Sequence, residues 1–423
     1  MGSGSIIKSV SAREIFSDRG HPGVEATVTT ENGATGVAVA TAGISVGQFE
    51  VQFVYDGGAR YGGRGVQKAV SNVNDIIALA LKGKDATKQR EIDEILIKLD
   101  GTKNKSKLGG NSTASVSAAV LKAAAASLGI PLYQHIGGVN ACVLPTPGVI
   151  AMIGSDRYGG GQKSGGKPSY SFICYGFNSF SEASYACWNV SRTFEKVIYD
   201  KFRLTTSTLR APIIPPGYVE SDREIWDLFV DAINNAGYEG KVGIQVDIAA
   251  GTYLDGEKGT FVGLFSKREK TKEDLIEFYK DMVKHYPFVI LEDPLDEVDY
   301  EGHAVLAKEL GIEVVGDDLF TTNVERLQHG IEVGACNAAL LKVNQIGTIT
   351  EAFDYVQLAY RHGYGVMPCS SRGEGPDLAD YCVGLNTGHA RESGIDPTGN
   401  RLLAIEQELG SSAKFLGRAG FKP

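Results

Sequence analysis

Four short runs in the second half of the chain constrain its fold most: Gly243–Asp247, Phe288–Pro294, Glu313–Asp318 and Ala338–Gln345. Each is mostly apolar and ends abruptly in a charge. Runs of that length without alternation read as strands buried on both faces, the parallel-sheet type. Glu292 and Asp317 lie 25 residues apart, as do Asp317 and Lys342, which leaves room for one helix per step. Strand, helix, strand in that rhythm predicts a (β/α)₈ barrel, whose strand C-terminal ends converge on one functional face. Asp247, Glu292 and Asp317 would bring hard oxygen donors suited to Mg²⁺ there, with Lys342 beside them as a candidate base. Structural salt bridges among the same residues are the alternative.

At 423 residues the chain exceeds what one core usually supports, so two domains are expected. The boundary falls between a 1–140 α+β domain and a 141–423 barrel. In the first, Val24–Thr30, Ala34–Val39 and Gln48–Val54 have strand composition, and Asn32-Gly33 is a hairpin turn signal. Helical spacing covers 66–83, 88–100 and 112–128. In the second, helical stretches run over Phe180–Phe202, Asp222–Ala236, Lys272–His285, Gly302–Leu310, Asn323–Val333 and Thr350–Arg361. Trp188 and Trp226 fall on two of them as expected packing residues.

A net charge of −9 with no dense basic stretch argues against nucleic acid or an anionic membrane as partner. The six cysteines form no CxxC pair and read as free buried thiols of a reducing, cytoplasmic compartment. No apolar run is long enough to span a membrane. Gly154–Pro168 holds six glycines and no aliphatic residue. It lacks a phosphate-loop pattern and reads as a flexible lid or a plain insertion.

Several motifs resemble the enolase family across essentially the whole chain. They are Ser11-Ala-Arg-Glu-Ile-Phe-Ser-Asp-Arg-Gly-His-Pro22, Leu99–Gly109 with Ile130-Pro-Leu-Tyr133, and above all Gly316-Asp317-Asp318-Leu319 through Leu341-Lys342-Val-Asn-Gln-Ile-Gly347. The resemblance implies an enolase fold, an N-terminal α+β domain followed by a TIM barrel, and a homodimer. It implies a Mg²⁺ on Asp247, Glu292 and Asp317, a loop serine, Ser45, reaching a second metal, and Lys342 as the proton-abstracting base.

Other family positions are substituted. A substrate-contacting histidine maps onto Asp156 in Ile153-Gly-Ser-Asp156, and a substrate-binding glutamate onto Ser171 in Tyr170-Ser-Phe172. The glutamate that assists departure of the hydroxyl maps onto Ser207; no Asp or Glu occurs between Lys201 and Val219. A histidine and the phosphate-binding arginine map onto Ser370 and Ser371, with Arg372 next to them, and a carboxylate-binding lysine onto Arg391. Losing several groups that act as one unit predicts a pseudoenolase: Mg²⁺ still bound, efficient dehydration of 2-phosphoglycerate lost, and a scaffold, regulatory or moonlighting role with an unknown protein partner. Two alternatives stand beside it. One is an active enolase forming phosphoenolpyruvate through an altered site. The other is a Lys342 and Mg²⁺ proton-abstraction enzyme on another phosphorylated or carboxylate ligand.

Overall fold

A computed structural model describes residues 3–17, 20–43, 46–154, 156–205, 212–369 and 372–422. The N-terminal part is a three-stranded antiparallel sheet, β1 (Ile7–Phe16), β2 (Pro22–Thr30) and β3 (Thr35–Thr41), backed by helices. Asn32-Gly33 makes the β2–β3 turn: the Asn32 side chain accepts the Ala34 amide at 3.2 Å, and Gly33 adopts φ 85°. The helix Gly110–Leu128 lies directly on this sheet. A Cβ at Gly36 would meet the Ala119 carbonyl oxygen at 2.0 Å, so glycine there lets the two layers touch.

Two expectations for this part change. The helix over 66–83 is observed as Gln67–Ser71 and Ala78–Leu81, joined by a π-helical segment, Asn72–Ile77. Gln48–Val54 is not a strand. Its amides go to separate partners: Val51 to the Gln345 carbonyl at 2.9 Å, Gln52 to Asn104 at 2.7 Å and Val54 to the Asn111 side chain at 3.1 Å. Apolar alternation here serves packing between elements and not a ladder.

The barrel strands are β4 (Thr146–Met152), β5 (Ser169–Cys174), β6 (Val242–Asp247), β7 (Phe288–Glu292), β8 (Glu313–Gly316), β9 (Ala338–Leu341), β10 (Gly365–Pro368) and β11 (His389–Ala390). Their order is β10-β9-β8-β7-β6-β5-β4-β11, and a parallel bridge between Cys369 and Arg391 draws the two edges together. The α/β class and barrel are as expected, except that β5 runs antiparallel to both neighbours. The described residues of the glycine-rich segment between β4 and β5 contain no crossover helix, and β5 returns antiparallel to β4. β5 therefore begins where its neighbours end: Ser169 pairs with Asp247.

Trp226 is fully buried, donating to the Tyr170 hydroxyl at 3.0 Å. Trp188 departs from its expected packing role, being 49% exposed and stacked on Tyr185. Five of the six cysteines are buried, and all are unpaired. Among the described residues, no single helix is long and apolar enough to cross a membrane.

Candidate active site at the strand ends

Asp247 and Glu292 are the last residues of β6 and β7 and sit side by side in the parallel register. Asp317 follows β8, Lys342 follows β9 and Arg391 follows β11. All five are almost fully buried. Three carboxylates this close repel one another, and burial raises the penalty for each charge. The chain answers with cations.

Arg391 donates through one nitrogen to Asp247 and to both Glu292 oxygens, at 2.9 and 3.1 Å, and through the other to Ser169 at 2.8 Å. The Lys342 ammonium donates to Asp317 at 2.5 Å, and Gln345 donates to the other Asp317 oxygen at 2.7 Å. Burial alone would push the Asp317 carboxyl up, but the Lys342 ammonium beside it holds it down at about 2. Burial likewise opposes the Lys342 charge, and the Asp317 carboxylate overrides it, keeping Lys342 protonated above the ordinary lysine range. A third cation was not anticipated. Lys167 forms an ion pair with Asp247. Burial and then Arg391 lower its pKa to about 8.

A second layer of acid adjoins Asp317. Oxygens of Asp293, Asp317 and Asp318 lie within 4.8 Å of one another. The Asp293 carboxylate accepts the amides of Asp317 and Asp318, at 3.0 and 2.8 Å, and so fixes the turn that presents Asp317. Burial and the Asp317 charge push Asp318 up to about 7, and burial with the Asp318 charge pushes Asp293 well above the usual range. Buried carboxylates crowded to this degree fit a hard divalent cation in chemistry and charge.

The substituted positions fall less neatly. Asp156 is exposed, and its carbonyl closes a turn on the Gly159 amide at 2.9 Å, so it is not enclosed with the strand-end charges. Ser171 points its hydroxyl into the barrel without a hydrogen-bond partner, in register with Gln245. Gln245 in turn donates to Glu292 at 3.1 Å. Arg372, next to the substituted phosphate-binding position, is buried in a bidentate pair with Glu50. Gln345 also reaches Glu50, at 3.4 Å, linking that pair to Asp317. A cleft of about 920 Å³ between segment 42–55 and the barrel is lined by Phe49, Glu50, Tyr55, Arg326 and Arg372 among others. Ser45, Ser207, Ser370 and Ser371 lie outside the described residues.

The glycine-rich segment is not the loose lid or plain insertion its composition suggested. Arg157 and Tyr158 donate to the buried Asp222 at 2.9 and 2.8 Å, and Tyr170 donates to its other oxygen at 2.6 Å. Polar side chains converging from the loop itself anchor it, a signal that glycine content conceals.

A barrel mouth carrying carboxylates on consecutive strand ends, with a buried lysine against one of them, combines hard-metal ligands with an acid–base group on the functional face of a (β/α)₈ barrel. Residues 7–136 match the family described as enolase, N-terminal domain, and residues 143–423 match enolase, C-terminal TIM barrel domain. The chain is 43% identical to the enolase of Methanocaldococcus jannaschii, covering 97% of each chain. It is 42% identical to that of Methanopyrus kandleri over 98% of this chain and 99% of the relative, and 41% identical to that of Thermococcus kodakarensis over 97% of each. The chain belongs to the enolase family.

These relatives correct the expectation of a pseudoenolase. Proteins this similar over nearly their whole length carry the name enolase, which favours the alternative of an active enzyme with an altered site. The expectation rests on positions matched one by one to a family pattern, and all of them but Ser171, on β5, lie outside the barrel strands. Loops change length and register more readily than strand ends, and a side chain from another segment can bring charge to the same place.

Proposed function

We propose that this protein is an enolase-type lyase that converts 2-phosphoglycerate to phosphoenolpyruvate and water in glycolysis. The observation that carries the reading is the buried Lys342 ammonium 2.5 Å from Asp317, beside the Asp247, Glu292 and Arg391 cluster. Lys342 is the base that takes the proton from the carbon next to the substrate carboxylate: a cation on Asp317 would neutralise the carboxylate that holds the ammonium charged, and so would free the amine to act. Arg391 offers a guanidinium to that carboxylate, a geometry suited to bidentate pairing. Asp247, Glu292 and Asp317 would hold Mg²⁺, which when bound supplies the positive charge that a dianionic enolate needs. Gln345 and Asp293 keep Asp317 oriented through the hydrogen bonds described above. The family resemblance supports Ser45 as a ligand of a second metal, together with a homodimer and a cytoplasmic location.

Purified protein, Mg²⁺ and 2-phosphoglycerate, followed by the ultraviolet absorbance of the enol phosphate, tests the reaction. Turnover that disappears with EDTA and in Lys342→Ala is the expected result. No product at saturating Mg²⁺ and substrate would remove this reading. Sedimentation or size-exclusion measurement tests the dimer.

A further inference from the structure

Three carboxylates at the barrel mouth face three cations, and one of the cations comes from an unusual direction. In an all-parallel barrel, the residue before a strand sits on the face opposite the strand C-termini. Because β5 is antiparallel, Lys167, two residues before Ser169, arrives on the functional face and pairs with Asp247.

Its main chain is held firmly. The Tyr253 hydroxyl donates to the Lys167 carbonyl at 2.5 Å, the Lys167 amide donates to Ser164 Oγ at 3.3 Å, and Gly154 donates to the Gly166 carbonyl at 2.8 Å. A Cβ on Gly154 would stand 2.5 Å from the Lys167 carbonyl carbon, so the two ends of the loop touch. Freedom is left to the side chain, which is 16% exposed, against 6% for Lys342 and 5% for Arg391. Arg391 is tied to Asp247, Glu292, Ser169 and Glu392, whereas Lys167 is tied to Asp247.

A divalent cation that takes Asp247 as a ligand must displace a cation already seated on that carboxylate. A flexible lysine stem on a fixed backbone loses least by moving. We propose that Lys167 is a built-in counter-ion of Asp247 that competes with Mg²⁺ for this carboxylate, and that the displaced ammonium turns to the anionic groups of the substrate beside Arg391. The second half rests on the enolase reaction proposed above; the first half does not.

Lys167→Met keeps the stem and removes the charge, and Lys167→Arg keeps the charge. Calorimetric titration of the substrate-free protein with Mg²⁺ should show Lys167→Met binding about three- to tenfold more tightly than wild type, with Lys167→Arg close to wild type. With 2-phosphoglycerate, Lys167→Met should raise KM by about tenfold or more while lowering kcat much less. Melting temperatures of both variants identify any loss of fold, and Lys167→Gln repeats the titration if the Met variant melts early. Equal Mg²⁺ affinity in wild type and a folded neutral variant, or no Mg²⁺ binding by either, overturns the counter-ion. Tighter Mg²⁺ binding with an unchanged KM overturns the substrate contact alone. An absence of turnover in wild type with the Mg²⁺ shift intact overturns the reaction and leaves the counter-ion standing.

Discussion

Lys342 and Asp317 meet at 2.5 Å from the ends of neighbouring barrel strands, with side chains 6% and 9% exposed. The pair sets a pH dependence whose sign follows from its two members. Asp317 sits at about 2 when folded, below the roughly 3.9 of an unfolded aspartate. Its contribution, on the order of 2 kcal/mol, is therefore present above about pH 4 and fades as pH falls through 2. Lys342→Met removes the ammonium and leaves burial, which pushes the carboxyl above its unfolded value. In metal-free buffer the melting temperature of Lys342→Met should fall furthest below wild type near pH 7, and the gap should narrow toward pH 4 and close only as pH falls through about 2. A gap independent of pH would show that Asp317 draws its stabilisation elsewhere. In the assay the same variant should lose about 10²–10⁴-fold in kcat, the usual worth of one acid–base group.

Arg391 bridges Asp247 and Glu292, so its loss would leave two buried carboxylates facing each other. Arg391→Met should destabilise the metal-free protein by about 3–5 kcal/mol, as expected when one partner of a buried ion cluster is removed. Mg²⁺ would then restore the missing positive charge. Differential scanning fluorimetry with EDTA and with excess Mg²⁺ should show a larger metal-induced rise in melting temperature for Arg391→Met than for wild type. An equal rise in both proteins would mean that Mg²⁺ does not occupy the ground Arg391 holds.

Much of this site is legible in the amino-acid sequence. Asp247, Glu292, Asp317 and Lys342 announce themselves because a charge terminating a strand buried on both faces has few structural uses, and the 25-residue rhythm from Glu292 to Lys342 places those three ends together. Lys167 and Glu50 are not legible there, for different reasons. Lys167 reaches the mouth only because β5 runs antiparallel, a direction that neither periodicity nor composition encodes. Glu50 lies 322 positions from Arg372, within a segment whose apolar alternation imitates a strand. Pairings of that separation leave no local pattern.

The Glu50–Arg372 pair clasps the N-terminal segment to the barrel. Both residues are nearly inaccessible, and the Arg372 carbonyl also accepts the Thr41 amide at 2.9 Å and the Asn344 side chain at 2.7 Å. Glu50→Ala would take the bidentate carboxylate away from a buried guanidinium, so urea unfolding should show a loss of about 3–5 kcal/mol. The double variant Glu50→Met with Arg372→Met should recover much of it, since apolar replacement of both partners removes the unpaired charge. A double variant no more stable than Glu50→Ala would indicate that the clasp depends on packing and not on its charges.

Asp222 does for the glycine-rich segment what Glu50 does for Arg372. It is fully buried, it precedes the helix Arg223–Asn235, and it receives Arg157, Tyr158 and Tyr170 together. Tyr170 belongs to β5, so a single carboxylate ties the loop and the strand that follows it to the barrel wall. Asp222→Asn keeps the size and one acceptor oxygen but surrenders the charge opposite Arg157, whose side chain is 1% exposed. Substitution should cost about 3 kcal/mol or more and release the loop. Limited trypsin digestion then gives the reading: wild type should resist cleavage after Arg157 and Lys163, while Asp222→Asn is cut there well before the barrel unfolds. Because this loop carries Lys167, the KM for 2-phosphoglycerate should rise in Asp222→Asn as in Lys167→Met. Resistance to trypsin equal to wild type would show that the loop owes its position to the Tyr253 and Gly154 contacts instead.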